Sequence, residues 1–303
     1  MRLAFRLLPF TLAITLAAAP AFAECVPEGW TADELAALRE GGFKLEDAAR
    51  RDALAVALVD CLGDTDPVLR DGTAYEGLAS WMRAKSLSPE TMATLLGKLQ
   101  PGLTDAGGDP AGVRQPFVAL VMSEVARTDR VEPWLTPEQR ASLVTDAAAY
   151  LAGVRDYRGF IDGEGWRHGV AHGSDLALQL AVNPAIERAQ LDQLLAALRA
   201  QVVAADGHAY IHGEPGRLAR AVFYIAQRKV HDAAFWKAWM ADVAAPGPLG
   251  EWGKAFSSEE GLARVHDTRA FLHAMLALVD GTDDFKLRER LQPAVMEALA
   301  GVP

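Results

Sequence analysis

The chain has 303 residues, half of them hydrophobic, and a formal net charge of −10 at pH 7. With no lysine- or arginine-rich run, that acidic balance argues against nucleic acid and against an anionic membrane surface as partners. Two cysteines are too few for a cysteine-ligated metal centre.

The first 25 residues read "MRLAFRLLPFTLAITLAAAPAFAEC". Arg2 and Arg6 form a positive start, Leu7 to Ala19 an apolar run, and Ala21-Phe22-Ala23 a small-x-small cleavage signal. The run is too short to span a bilayer, so residues 1–23 are expected to be a secretory signal peptide. Glu24 stands between the cut and Cys25, which does not fit a lipidated cysteine. The chain is therefore expected to be exported, periplasmic or secreted. No later window offers about 18 uninterrupted apolar residues, so no membrane span is expected. In an oxidising compartment Cys25 and Cys61 are expected to pair. Their bridge would close a loop of about 35 residues and contribute roughly 3–4 kcal/mol.

Residues 24–303 read as one all-α domain. "TADELAALRE" opens with Thr31 and Glu34 in capping-box spacing. Ser88-Pro89, Thr136-Pro137 and Asn183-Pro184 each place a capping side chain before a proline at the first helical position. Apolar residues recur at three and four spacing to the C-terminus, and no run shows strand alternation. About eleven helices are expected, as stacked antiparallel hairpins in a HEAT-like, α-solenoid array with pairs recurring every ~40–50 residues. Residues 100–116, "QPGLTDAGGDPAGVRQP", either break the domain into two or form a surface loop.

The stretch "GWRHGVAHGSD", residues 165–175, carries the candidate chemistry. On a continuous helix Glu164, His168, His172, Asp175 and Gln179 would fall within about 40° of His168 as one polar stripe. Gly165, Gly169, Gly173 and Ala177 would form a ridge that admits a close neighbour. The stripe fits a solvent face, a buried polar network or a pocket wall. As a pocket wall, His168 and His172 could share a divalent metal such as zinc, with Asp175 as third ligand or orienting partner. Arg167, not a glutamate, follows Trp166, so the zinc-protease motif is absent. Downstream, "DGHAYIHGEPGRLARAVFYI" offers His208, His212 and Glu214 on a loop that runs into a helix. His266 and His273 sit seven apart on one helical face. His231 and the trio Phe235, Trp236 and Trp239 need no ligand to explain them.

Two stretches, "DYRGFIDGEGWRHGVAHGSDLALQLA" and "HGEPGRLARAVFYI", resemble an uncharacterised bacterial family, the domain of unknown function 2785. The resemblance rests on Arg158, Gly159, Phe160, Gly165, Trp166, His168, His172, Asp175, Glu214, Arg217, Leu218 and Ala219. It implies an all-helical fold and no established reaction, and it draws Glu214 and Arg217 towards the histidines. A signal peptide departs from the look of many members. The expected site is a groove of Trp166, His168, His172, Asp175, Glu214 and Arg217. The expected function is a binding or scaffold module for a peptide, glycan or envelope protein. The alternative is a metal-assisted hydrolase built on His168 and His172, with a helical-toroid glycan-cleaving enzyme as a weaker third.

Overall fold

The computed structural model describes residues 25–105, 108, 109 and 111–303. The expected signal peptide lies outside the described residues. These are all-α apart from one two-stranded ribbon. The α-helices, in chain order, are α1 (Ala32–Glu40), α2 (Ala48–Leu58), α3 (Pro67–Leu69), α4 (Glu76–Arg83), α5 (Pro89–Leu99), α6 (Arg114–Val131), α7 (Pro137–Gly153), α8 (Gly169–Ala181), α9 (Arg188–Ala200), α10 (Glu214–Gln227), α11 (Ala233–Val243), α12 (Glu259–Asp280) and α13 (Phe285–Ala300). Short α3 and α4 belong to one helical stretch, interrupted by a π-helical turn over Arg70–Tyr75.

Local chemistry explains most helix starts. Thr31 and Glu34 close a capping box on α1, and Thr136 closes one with Gln139 on α7. The Ser88 hydroxyl accepts from the Thr91 amide at 3.2 Å, with Pro89 first in α5. The Asn183-Pro184 expectation fails, because α9 starts at Arg188 behind a Glu187–Gln190 capping box. Asn183 is drawn elsewhere: its amide donates to the buried Asp129 carboxylate at 2.8 Å. That carboxylate also takes Arg140 at 2.7 Å and the amides of Trp134 and Leu135. The Asn183 Oδ1 still accepts from the Ala185 amide at 3.0 Å, so the capping bond closes an isolated turn rather than a helix.

Helix α6 packs on α8, α8 on α10, and α10 on α12, while α7 packs on α9 and α11 on α13. The close approach of α8 to α7 needs Gly173, where a Cβ would lie 2.9 Å from Leu151 Cδ1. A contiguous set of buried apolar side chains runs from Leu35 to Val302. Cys25 and Cys61 form the expected disulfide. Among the described residues no helix is long and apolar enough to cross a membrane.

Candidate functional site

The helical wheel fails at its first residue. Residues 160–166 form a small antiparallel ribbon, with Phe160 opposite Trp166 and Ile161 opposite Gly165. The chain turns into α8 through His168, which adopts the left-handed conformation, φ 59° and ψ 36°. For a non-glycine residue that costs free energy and is held only by its surroundings. Here the His168 amide donates to the Arg158 carbonyl at 3.0 Å and the ring stacks on Trp166, centroids 4.7 Å apart. Gly165 sits at φ 78°, against Pro67 and Arg70, where a Cβ would come within 2.9 Å of Pro67 Cβ.

The stripe therefore dissolves into separate roles. Glu164 lies in the ribbon turn and pairs with Arg167 at 2.6 Å, pointing outward. Gln179 accepts from Arg130 at 3.2 Å, away from the other members. His168 and His172 still meet, edge to face with centroids 5.7 Å apart, and the His172 amide donates to the His168 carbonyl at 3.0 Å across the first helical turn.

These two rings line a cleft of about 470 Å³ where the first turns of α6, α8 and α10 converge on the π-helical turn. Asp71, Tyr75 and Glu76 form the wall opposite. Phe117 and Leu120 come from α6, Trp166 from the ribbon, His212 from the loop before α10, and Arg217 from α10 itself. Glu214 closes the back. It is 2% exposed, and its Oε1 lies 3.4 Å from His168 Nε2, an ion-pair distance rather than a full hydrogen bond. Burial pulls the Glu214 carboxyl upward, but the His168 ring and the amides of Glu214 and His212 outweigh it and hold the pKa below the ordinary value. Glu214 is thus an anion that holds His168 in place.

His172 differs. Its Nδ1 bonds to the Pro116 carbonyl at 3.1 Å, which makes it the donor and leaves Nε2 as the acceptor. Burial first, then the neighbouring His168, push its pKa down to about 3. It is a neutral ring at any ordinary pH. Arg217 pairs with Asp175 at 2.5 Å, and burial raises the Asp175 carboxyl against that pairing. Asp175 itself is not a cleft-lining residue; it braces Arg217.

His212 reaches the cleft because residue 159 is glycine. A Cβ there would lie 2.2 Å from His212 Nδ1. Its amide donates to Glu214 Oε2 at 3.0 Å. His208 lies apart, stacked near Tyr157 at 5.9 Å, and His266 bonds to the Tyr210 carbonyl at 3.1 Å. His273 is exposed, and His231 is buried against Asp192 at 2.6 Å.

The described residues offer the two histidines no third ligand. His168 Nε2 faces Glu214 at 3.4 Å, while the His172 Nδ1 bond to a carbonyl leaves its Nε2 free. Among the described residues no group of three His, Cys, Asp or Glu side chains is disposed to hold an ion. Two histidines without a third ligand fall short of a zinc site.

Sequence reasoning missed the far wall. Buried Arg70 pairs with Asp71 at 2.7 Å, lies 4.8 Å over the Phe117 ring, and donates to the Glu164 carbonyl at 3.0 Å. It ties the π-helical turn to the ribbon. Burial raises the Asp71 carboxyl, with Arg70 opposing. The sequence carried no clear signal for that wall, since "LRDGTAYEGL" mixes Arg70, Asp71, Thr73 and Glu76 with apolar residues.

A family model described as "Protein of unknown function (DUF2785)" matches residues 106–277, more than half of the chain. No curated protein and no solved structure matches.

Proposed function

The chain belongs to the DUF2785 family of proteins of unknown function, and since membership confers no reaction, we propose from the site's geometry that it is an exported binding module whose cleft takes a glycan. The observation that carries this is Trp166, 36% exposed in a cleft that also presents Asp71, Glu76, His212 and Arg217. A sugar ring has an apolar C–H face and a hydroxyl rim. Trp166 offers apolar surface to the first, and Asp71, Glu76, His212 and Arg217 offer donors and acceptors to the second. Phosphate fits poorly, because Asp71 and Glu76 face a single arginine that Asp175 already neutralises. A peptide would want an open strand edge or a deep apolar anchor pocket, and this cleft supplies neither. Stacked helical hairpins would present the cleft at one rim of the array.

Saturation-transfer NMR with cello- and chito-tetraose tests the proposal. Signal should appear on the sugar ring protons and vanish in Trp166→Ala. Absence of signal with both sugars at millimolar concentration, or signal unchanged in the variant, overturns it.

A second reading, hydrolysis, rests on His168. A Glu-backed imidazole on a cleft wall is the arrangement of a general base. It needs no metal, and product release from either sugar over hours, lost in His168→Gln, is its readout.

A further inference from the structure

A second recess lies away from the polar cleft, where the ends of α4 and α6 meet the start of α5. It encloses about 450 Å³, within the range of small-molecule sites. Its walls are Trp81, Met82, Leu87, Met92, Val131 and Trp134. The indole nitrogens of both tryptophans are already bonded, Trp81 to the Phe43 carbonyl at 2.8 Å and Trp134 to the Thr128 hydroxyl at 3.1 Å. They therefore present hydrocarbon to the recess. Two thioethers adapt to an irregular apolar guest. Val131 is left 47% exposed at the mouth.

The rim supplies charge. Arg83 is held by Glu124, and Lys85 by Glu132 at 2.9 Å. Arg127 lines the same recess and, among the described residues, has neither an ion-pair nor a hydrogen-bond partner. One uncompensated guanidinium beside an apolar slot is the local complement of an amphipathic monoanion. A guanidinium matches a carboxylate with two parallel donors.

We propose that this groove is a binding site for a free medium-chain fatty acid. Its alkyl chain lies between Trp81 and Trp134 and its carboxylate sits on Arg127. This site is independent of the glycan reading and of every residue in the polar cleft.

Titration calorimetry of the purified chain with decanoate and decanol, both below their self-association concentrations, tests it. Decanoate should bind one per chain, about tenfold tighter than decanol, since only the acid can use Arg127. Arg127→Gln should bring decanoate down to the decanol affinity and leave decanol unchanged. Arg127→Lys should retain most of the preference. Val131→Asp, at an exposed position that tolerates polarity, should weaken decanoate more than decanol. Thermal melting should show all three variants folded. The proposal is overturned if wild type binds acid and alcohol equally, if Arg127→Gln binds decanoate like wild type, or if neither ligand binds.

Discussion

The molecule carries two recesses of nearly the same size, about 470 and 450 Å³, made from opposite materials. The apolar groove is walled largely by regular helices, α4, α5 and α6, and by the turn that follows α6. Its one left-handed residue at the rim, Lys85 at φ 53°, is an ordinary end to α4. The polar cleft needs a π-helical turn, a left-handed histidine, a glycine that lets His212 pass, and a buried carboxylate behind His168. Hydrocarbon packs in many ways, whereas converging polar groups must each be oriented and satisfied. The difference predicts that the cleft is costly to perturb and sensitive to pH, and that the groove is neither.

The largest effect should come from His172. Its ring titrates near 6.5 when unfolded and near 3 in the cleft, so the unfolded chain takes up the proton first. Its contribution is fully present above pH 6.5 and is lost as pH falls towards 3, amounting to at most about 5 kcal/mol. Denaturant midpoints across pH 7 to 4 should fall steeply in wild type and less steeply in His172→Gln. An equal slope in both would show that the buried ring does not govern acid sensitivity.

Asp267 works in the opposite direction and sharpens the test. It is fully buried at the back of the loop that carries His208 and His212, accepting from the Tyr210 amide at 2.8 Å and the Ala204 amide at 3.4 Å. Burial outweighs those bonds and pushes its pKa from 3.8 up to about 6. Its neutral form favours folding, so this contribution is present below pH 3.8 and is lost as pH rises through 6, at most about 3 kcal/mol. In Asp267→Asn the loss of stability on acidification should look steeper than in wild type, because the opposing term has gone. An unchanged slope would remove Asp267 from the account.

Gly159→Ala comes next. The added methyl would meet the His212 ring, and the ring must swing out of the cleft. Overpacking of this kind costs about 1–3 kcal/mol. The change should also abolish any sugar signal. Unchanged stability with sugar binding intact would mean that His212 is dispensable to the cleft.

These predictions bear on what the sequence made legible. Helix identity was readable wherever a cap was purely local, as at Thr31, Ser88 and Thr136. It misled at Asn183, whose partner Asp129 is 54 positions away. The site was half legible. His168, His172, Glu214 and Arg217 do converge, and the helical wheel placed the two histidines one turn apart but wrongly added Glu164 to them. A wheel assumes an unbroken helix, and it extended α8 back over Glu164 and Gly165, whose glycine at φ 78° belongs to a ribbon. Asp71 and Glu76 were invisible because they reach the cleft through long-range packing. The Arg70 bond to the Glu164 carbonyl, across 94 positions, and the stacking of Arg70 over Phe117 hold them there.

The smallest expected effect separates the two recesses most cleanly. Arg127 has no partner to lose, so Arg127→Gln should change stability by less than about 0.5 kcal/mol in denaturant unfolding at pH 7. Arg217→Gln is the matched change in the polar cleft. It leaves Asp175 with its carboxylate buried and its cation gone, and an unpaired buried acid costs about 1–3 kcal/mol. Part of that cost is relieved by protonation, since burial already raises the Asp175 pKa and Arg217 is the leading group opposing it. Arg217→Gln should therefore regain stability as pH is lowered towards 4, relative to wild type, while Arg127→Gln runs parallel to wild type at every pH. If the two glutamine variants behave alike, the guanidinium in the cleft is as free as the one at the groove, and the contrast between an assembled polar site and a merely apolar one fails at its simplest pair of residues.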